Sequence, residues 1–455
     1  MSKIHFIAIG GSAMHNLAIA LHLKGYEVSG SDDEIFEPSK SRLKKYNILP
    51  SSDGWNADNI TTDLDAIIVG MHARIDNPEL LKAQKLGLKI FSYPEFLYEQ
   101  SKDKTRIVIG GSHGKTTITS MILHVMQERG METDYMVGAK LEGFEVMVKL
   151  TQSAKYMVIE GDEYLTSPID RRPKFHLYMP HIALLSGIAW DHINVFPTFD
   201  NYVSQFSTFI NLIDDKGALI YCKEDSELNK IAKDARAGLK QFPYGIPEHR
   251  IDKNGITYII TDKQEYALKV FGDHNLMNLN GAQLVCEQIG ISKHDFYTSI
   301  SSFKGASNRL ELIGENDNTK VFKDFAHSPS KLKATTSAMK RQFTKRKLIA
   351  CMELHTFSSL SAEFLSHYDG AMNEADIAIV YYNPHTLEHK KLPAISPKQV
   401  SDGFGNKDLL VFTESAKLQE YLLGIDYSDK NLLIMTSGNL DGVDLGEFAK
   451  NIVSK

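Results

Sequence analysis

Residues 106–117, RIVIGGSHGKTT, decide how this chain is read. The apolar run RIVI leads into Gly110-Gly111-Ser112-His113-Gly114-Lys115-Thr116-Thr117, and ITSMILHVM (118–126) follows with a helical pattern. Strand, glycine turn and helix in this order meet the needs of a phosphate-binding loop. Backbone N–H groups of the turn cradle an anion, a lysine neutralises the outer phosphates, and the next threonine can ligate Mg²⁺. The full eight-residue pattern wants glycine at position 109, where Ile109 stands, so this is the shorter GxxGKTT form. Gly111, Ser112, His113, Gly114, Lys115, Thr116 and Thr117 are therefore candidate nucleotide contacts. An enzyme using ATP or GTP is a better explanation than a chance Lys-Thr after a glycine turn.

Upstream, IHFIAI (4–9), YEVSGSD (26–32), LDAIIVG (64–70) and LKIFSY (88–93) read as strands, with a helical stretch over 14–24. Alternating strands and helices predict a parallel α/β sheet. IAIGGSAM resembles a dinucleotide-type turn, making Gly10, Gly11, Ser12 and Asp32 candidates for a diphosphate and a ribose hydroxyl. Ala8 and Ala13 stand where further glycines are expected, so a plain tight turn explains these residues equally well. The polar run 101–104 reads as a linker.

Downstream, MVIEGDEY (157–164) puts Glu160 just after a strand, and SGIAWDH (186–192) puts Asp191 and His192 at the end of another. Ligands gather at the carboxyl ends of strands in an open parallel sheet, so Glu160 and His192 are candidates to hold a metal beside the phosphates of the loop. GDHNLMNLNGA (272–282) offers His274, Asn275 and Asn278 to an adenine edge, although capping by Asp273 or Asn275 also accounts for the pattern. Arg309, and Asp324 with His327, are isolated polar signals beside strands. VFKDFAHSP, KLIACMELH, ADIAIVYYN and NLLIMTSG read as strand ends feeding loops in a third unit. The units predicted are 1–103, 104–307 and 308–455.

The 455 residues are 42% hydrophobic and 24% charged, and 51 Lys+Arg against 57 Asp+Glu leave a formal charge of −6. With no basic tract, bulk nucleic-acid binding is not expected. Cys222, Cys286 and Cys351 show neither metal spacing nor a disulfide framework, which suits a reducing compartment. The N-terminus lacks a signal-peptide pattern and no apolar run reaches membrane-spanning length, so a cytoplasmic protein without a membrane partner is expected.

In order, IHFIAIGGSAM…YEVSGSD, DNPE (76–79), GSHGKTT, EGDE, WDH, DHNLMN, NRLE and DFAHSP resemble the Mur ligase family over nearly the whole chain. The resemblance implies a three-domain α/β architecture: a Rossmann-like N-terminal domain for UDP-sugar, a P-loop ATPase-like central domain, and a Rossmann-like C-terminal domain for the incoming amine. It implies ATP and Mg²⁺ as cofactors and an acyl-phosphate route to an amide bond. Lys115 would stabilise the transferring phosphoryl group. Glu160, His192 and Thr116 would hold Mg²⁺, while His274, Asn275, Asn278, Arg309 and Asp324 would contact ATP. The segment EGDEYLTSPIDRRPKF (160–175) resembles the branch joining UDP-N-acetylmuramate to L-Ala-γ-D-Glu-meso-diaminopimelate in cell-wall recycling, which is the expected reaction. The alternatives are addition of L-alanine to the same sugar, or a non-catalytic sensor of UDP-sugar and ATP. Departures from the family are no lysine between His192 and Asp214, Gly187 for a common Asn, Leu165 for Asp, Ser328 for His and His355 for Arg.

Overall fold

The computed structural model describes residues 2–138, 144, 146–190, 195–253, 255–262, 264–306 and 308–454. The chain forms two compact units, Met1–Gly245 with Met277–Ile300, and Ile246–Leu276 with Ser301–Lys455.

The first unit holds two sheets. The smaller is fully parallel, in the order Glu27–Ser31, Lys3–Ile7, Ala66–Val69, Ile90–Ser92. Its first strand stops at Ile7 rather than Ile9, because Ala8 turns into the left-handed region at φ 70°. This is where the sequence lacked an expected glycine. An alanine there is strained by about 1–2 kcal/mol, so the turn is made without the residue that suits it best.

The larger sheet runs Lys240–Tyr244, Ala218–Cys222, Ile182–Leu185, Thr105–Gly110, Tyr156–Glu160, Thr133–Met136, Val148–Lys149, parallel except for the last strand. Thr105–Gly110 sits centrally, which is why its Ile107, Val108 and Ile109 form a continuous apolar run buried on both faces. Its register sets Ile109 beside Glu160 and Gly110 beside Leu185, so the phosphate loop, the acidic motif and residues 186–190 emerge at one end of the sheet. Short strands such as Thr133–Met136 and the edge pair Val148–Lys149 carried too little pattern to be read from sequence.

The run 101–104 is no loose linker. Ser101 and Lys104 are buried, and the Lys104 ammonium donates to the carbonyls of Ala154 (2.7 Å) and Thr151 (3.2 Å) and pairs with buried Asp134 (3.3 Å).

The second unit contains an antiparallel sheet of His249–Ile251, Thr257–Thr261 and Gln264–Leu268. It also contains a six-stranded sheet in the order Glu311–Glu315, Lys320–Asp324, Lys430–Met435, Lys347–Leu354, Ile377–Tyr382, Leu410–Phe412, parallel but for its first strand. Gln342 ties the small sheet in, donating to the Gly255 carbonyl (2.6 Å) and exchanging with Thr257. Among the described residues no helix is long and apolar enough to cross a membrane.

Candidate functional site

The phosphate loop leaves its strand at Gly110 and enters the helix Lys115–Glu128 through Gly114, whose φ of 78° suits glycine. Gly111 also has positive φ, 120°, and a side-chain carbon there would lie 2.3 Å from the Ser186 hydroxyl and 2.8 Å from its backbone nitrogen. A carbon on Gly114 would lie 2.5 Å from the Asn278 amide oxygen. The two glycines thus allow the loop to pack against residues 186–187 and against Asn278.

Side chains lock this loop. The Lys115 ammonium donates to the Gly111 carbonyl (2.6 Å) and to Glu163 (3.0 Å). Glu163 is buried and also accepts from the Tyr202 hydroxyl (3.0 Å), which lies 3.0 Å from the Ser112 hydroxyl. Ser112 donates to the Ala189 carbonyl, its backbone N–H reaches the Gly187 carbonyl (3.0 Å), and Ser186 donates to the His113 carbonyl. Gly187 therefore serves through its carbonyl. Thr116 donates to Glu160 (2.8 Å), whose other oxygen accepts from Gly138 N–H (2.9 Å). Thr117 is buried on the inner face of its helix. Asp191 and His192 lie outside the described residues.

At the first turn, Gly10 N–H donates to Asp32 (2.7 Å), and the helix Ser12–Leu23 starts after Gly11. Burial, helped by the hydrogen-bonded neighbour Asp33, pushes the Asp32 carboxyl up to about 6. Between about pH 4 and pH 6 the folded chain holds a proton here that the unfolded chain has released, so this group withdraws stability as pH rises through that window. Asp32→Asn keeps an oxygen for Gly10 and should flatten that part of the stability profile. The difference expected is on the order of 2 kcal/mol across the window, read from urea midpoints at pH 4, 5 and 6. An unchanged profile would place the titration elsewhere.

A cavity of ≈ 250 Å³ joins the two halves of this unit. Ser12, Ala13 and Asn16 line it from the first turn, and Lys115, Glu160, Asp162, Lys174, Gly138 and Tyr178 from the larger sheet. Asn16 bridges the halves, accepting from Met147 N–H (3.4 Å). Ser12 of the first turn thus meets Lys115 and Glu160 at one space.

The remaining candidates are dispersed. Asn278 packs on the loop, as noted. His274 and Asn275 open the same helix, Asp273–Gln288, within the second unit. Burial lowers the His274 imidazole to about 4, so it is neutral at pH 7 and able both to donate and to accept. The Asn275 amide donates to the Phe271 carbonyl (2.9 Å). Asp324 is buried, and each of its oxygens already accepts a backbone N–H, from Leu310 and Ala326 (both 2.7 Å). Arg309 lies over the Phe325 ring at 5.0 Å. Leu165, in place of a family Asp, is buried where its hairpin bridges Pro173. Sequence reading singled out neither Tyr202, Asn16, Lys174 nor Tyr178. Of these only Lys174 lay in a stretch already quoted, EGDEYLTSPIDRRPKF (160–175).

Comparison with known proteins matches residues 109–286 to the Mur ligase middle domain and 3–105 to the Mur ligase family catalytic domain. The UDP-N-acetylmuramate–L-alanine ligase of Clostridium tetani is 30% identical over 427 residues, covering 90% of this chain and 87% of that one. The UDP-N-acetylmuramate–alanine ligase structure from Thermotoga maritima superposes with a TM-score of 0.71 at 20% identity, covering 100% of this chain and 99% of that one. The structure of UDP-N-acetylmuramate:L-alanyl-γ-D-glutamyl-meso-diaminopimelate ligase from Neisseria meningitides gives 0.61 at 25% identity, covering 67% and 98%.

Proposed function

We propose that this chain, which belongs to the Mur ligase family, activates the carboxylate of UDP-N-acetylmuramate with ATP and passes the acyl group to an amine. It is an ATP-dependent, ADP-forming ligase with the N-terminal, middle and C-terminal α/β parts of that family, for which we keep the bounds 1–103, 104–307 and 308–455 as part of the proposal. The observation that carries the reading is a cavity lined by both Ser12 and Lys115. A sugar nucleotide with its diphosphate at Gly10, Gly11 and Ser12 and its ribose at Asp32 extends its carboxylate into that cavity. ATP seated on residues 111–117 brings its γ-phosphate to the same place.

The chemistry follows from barriers. A carboxylate oxygen attacks the γ-phosphorus as the β–γ bridging bond breaks, and ADP leaves with the electron pair. The amine nitrogen then attacks the acyl carbon, the carbon–oxygen bond breaks, phosphate leaves and the amine gives up a proton. Positioning and cationic stabilisation supply most of the acceleration. Lys115 exchanges Glu163 for the γ-phosphate. Thr116 and Glu160, whose oxygens lie 2.8 Å apart, would hold Mg²⁺ together with His192. When bound, the ion neutralises phosphate charge. His274, Asn275 and Asn278 read adenine, and Arg309 and Asp324 approach ATP, Asp324 with the least free capacity because its oxygens already hold a turn. The buried, free cysteines suit a cytoplasmic location.

For the acceptor, L-alanine is the better supported reading, because the Clostridium tetani relative, 30% identical over most of both chains, is named for it. That reverses the order expected from sequence. The peptide remains a second reading on one observation, the hairpin formed by residues 161–175. ADP release with UDP-N-acetylmuramate, ATP and Mg²⁺ separates them. Turnover with L-alanine alone is the result expected, turnover with L-Ala-γ-D-Glu-meso-diaminopimelate alone selects the peptide, and ATP binding without turnover on either returns the chain to the sensor alternative.

A further inference from the structure

The segment after the acidic motif folds back on itself. Leu165 bridges Pro173, Thr166 N–H donates to the Arg172 carbonyl (3.0 Å), and Lys174 N–H donates to the Tyr164 carbonyl (2.9 Å). This hairpin delivers Lys174 to the cavity wall, where its ammonium lies 2.6 Å from Asp162 and stays a quarter exposed. The Lys115 ammonium lines the same cavity. Two ammonium groups therefore act on one space. Tyr178 lines the same cavity, fully buried, and its hydroxyl has no hydrogen-bond partner among the described residues. An unsatisfied buried hydroxyl calls for a ligand that supplies the missing bond.

Beyond the Lys115 and Mg²⁺ assigned to the phosphates, the ligase reaction gains from a cation on the sugar side of this cavity. A carboxylate must approach a γ-phosphate that is itself anionic, and like charges in a partly enclosed cavity repel strongly. Lys115 is committed to the loop side through the Gly111 carbonyl. No lysine follows His192 before Asp214. We propose that Lys174 binds the carboxylate of the sugar substrate in this cavity, with the Tyr178 hydroxyl as second donor and Asp162 aiming the ammonium. This rests on the ligase reading. Binding changes no covalent bond; it fixes the attacking oxygen for the phosphoryl transfer already described.

The test is equilibrium binding of UDP-N-acetylmuramate and of UDP-N-acetylglucosamine, which lacks the lactyl carboxylate, to the full chain. Wild type should prefer the carboxylate-bearing sugar by about tenfold or more, the usual worth of a charged hydrogen bond. Lys174→Met should erase the preference while leaving the affinity for UDP-N-acetylglucosamine unchanged, and in turnover should raise KM for the sugar but not for ATP. Lys174→Arg should restore part of the preference. If Lys174→Met weakens both sugars, Asp162 has been left an unpaired carboxylate, and the charge-matched Asp162→Asn/Lys174→Met chain decides by whether the preference is gone. A preference retained at wild-type size overturns the assignment of Lys174 and leaves the ligase reading standing. Wild type binding neither sugar nucleotide overturns the ligase reading itself.

Discussion

Lys115→Ala should lower ADP release by a factor of about 10³ or more, while UDP-N-acetylmuramate binds as to wild type. The lysine begins the helix Lys115–Glu128, so its charge adds to the positive end of the helix where the γ-phosphate is proposed to lie. Removing a preorganised cation from a partly buried site (side-chain exposure 18%) loses stabilisation that matters most as the phosphoryl charge develops. A structural effect must be separated from this. Without Lys115, Glu163 keeps only Tyr202 among the partners described above, and a buried carboxylate without a counter-charge destabilises the loop. Lys115→Ala/Glu163→Gln removes that cost. If the double variant melts like wild type and still turns over at about a thousandth of the rate, the loss belongs to chemistry. Wild-type turnover in Lys115→Ala would sink the assignment of the phosphate loop.

The parts of this site legible in the sequence are those whose reason is local. Gly111, Gly114, Lys115 and Thr116 could be read because a phosphate loop needs these residues consecutively, between a strand and a helix. The apolar runs at 66–69, 105–110 and 182–185 announced buried parallel strands for the same reason. What escaped depends on partners far along the chain. Lys115 meets Glu163 across 48 positions and Ser112 meets Tyr202 across 90, so neither pairing leaves a pattern in a short window. Tyr202 is one of several aromatics in the helix Phe199–Asn211, and nothing in the local sequence sets it apart. Asp32 was read as a ribose contact, yet it also holds the Gly10 turn, a duty set by the Gly10 N–H that only the folded backbone brings to it. Ala8 shows the converse: a missing glycine argued against a nucleotide-type turn, and the chain makes the left-handed turn with alanine.

Asp134→Ala should destabilise the first unit by about 3–5 kcal/mol, the cost of leaving one partner of a buried pair charged and alone. Asp134 is wholly buried on the strand Thr133–Met136, accepts from Thr151 N–H and hydroxyl, and meets the Lys104 ammonium at the base of the central strand. Truncation leaves that ammonium with only the Ala154 and Thr151 carbonyls. Pairing Asp134→Leu with Lys104→Met removes both charges and should recover most of the loss, since a buried pair rarely outdoes well-packed apolar groups of similar volume. Urea unfolding of the full chain, followed as a double-mutant cycle, measures the coupling. The same strand ends at Met136, just before Gly138, whose N–H holds Glu160. Loosening its base should therefore weaken Mg²⁺-dependent ATP binding in Asp134→Ala, and the charge-free pair should restore it. If the single variant lost stability but kept wild-type ATP affinity, Glu160 would be seated independently of this strand, and the hydrogen bond from Gly138 would carry none of its positioning.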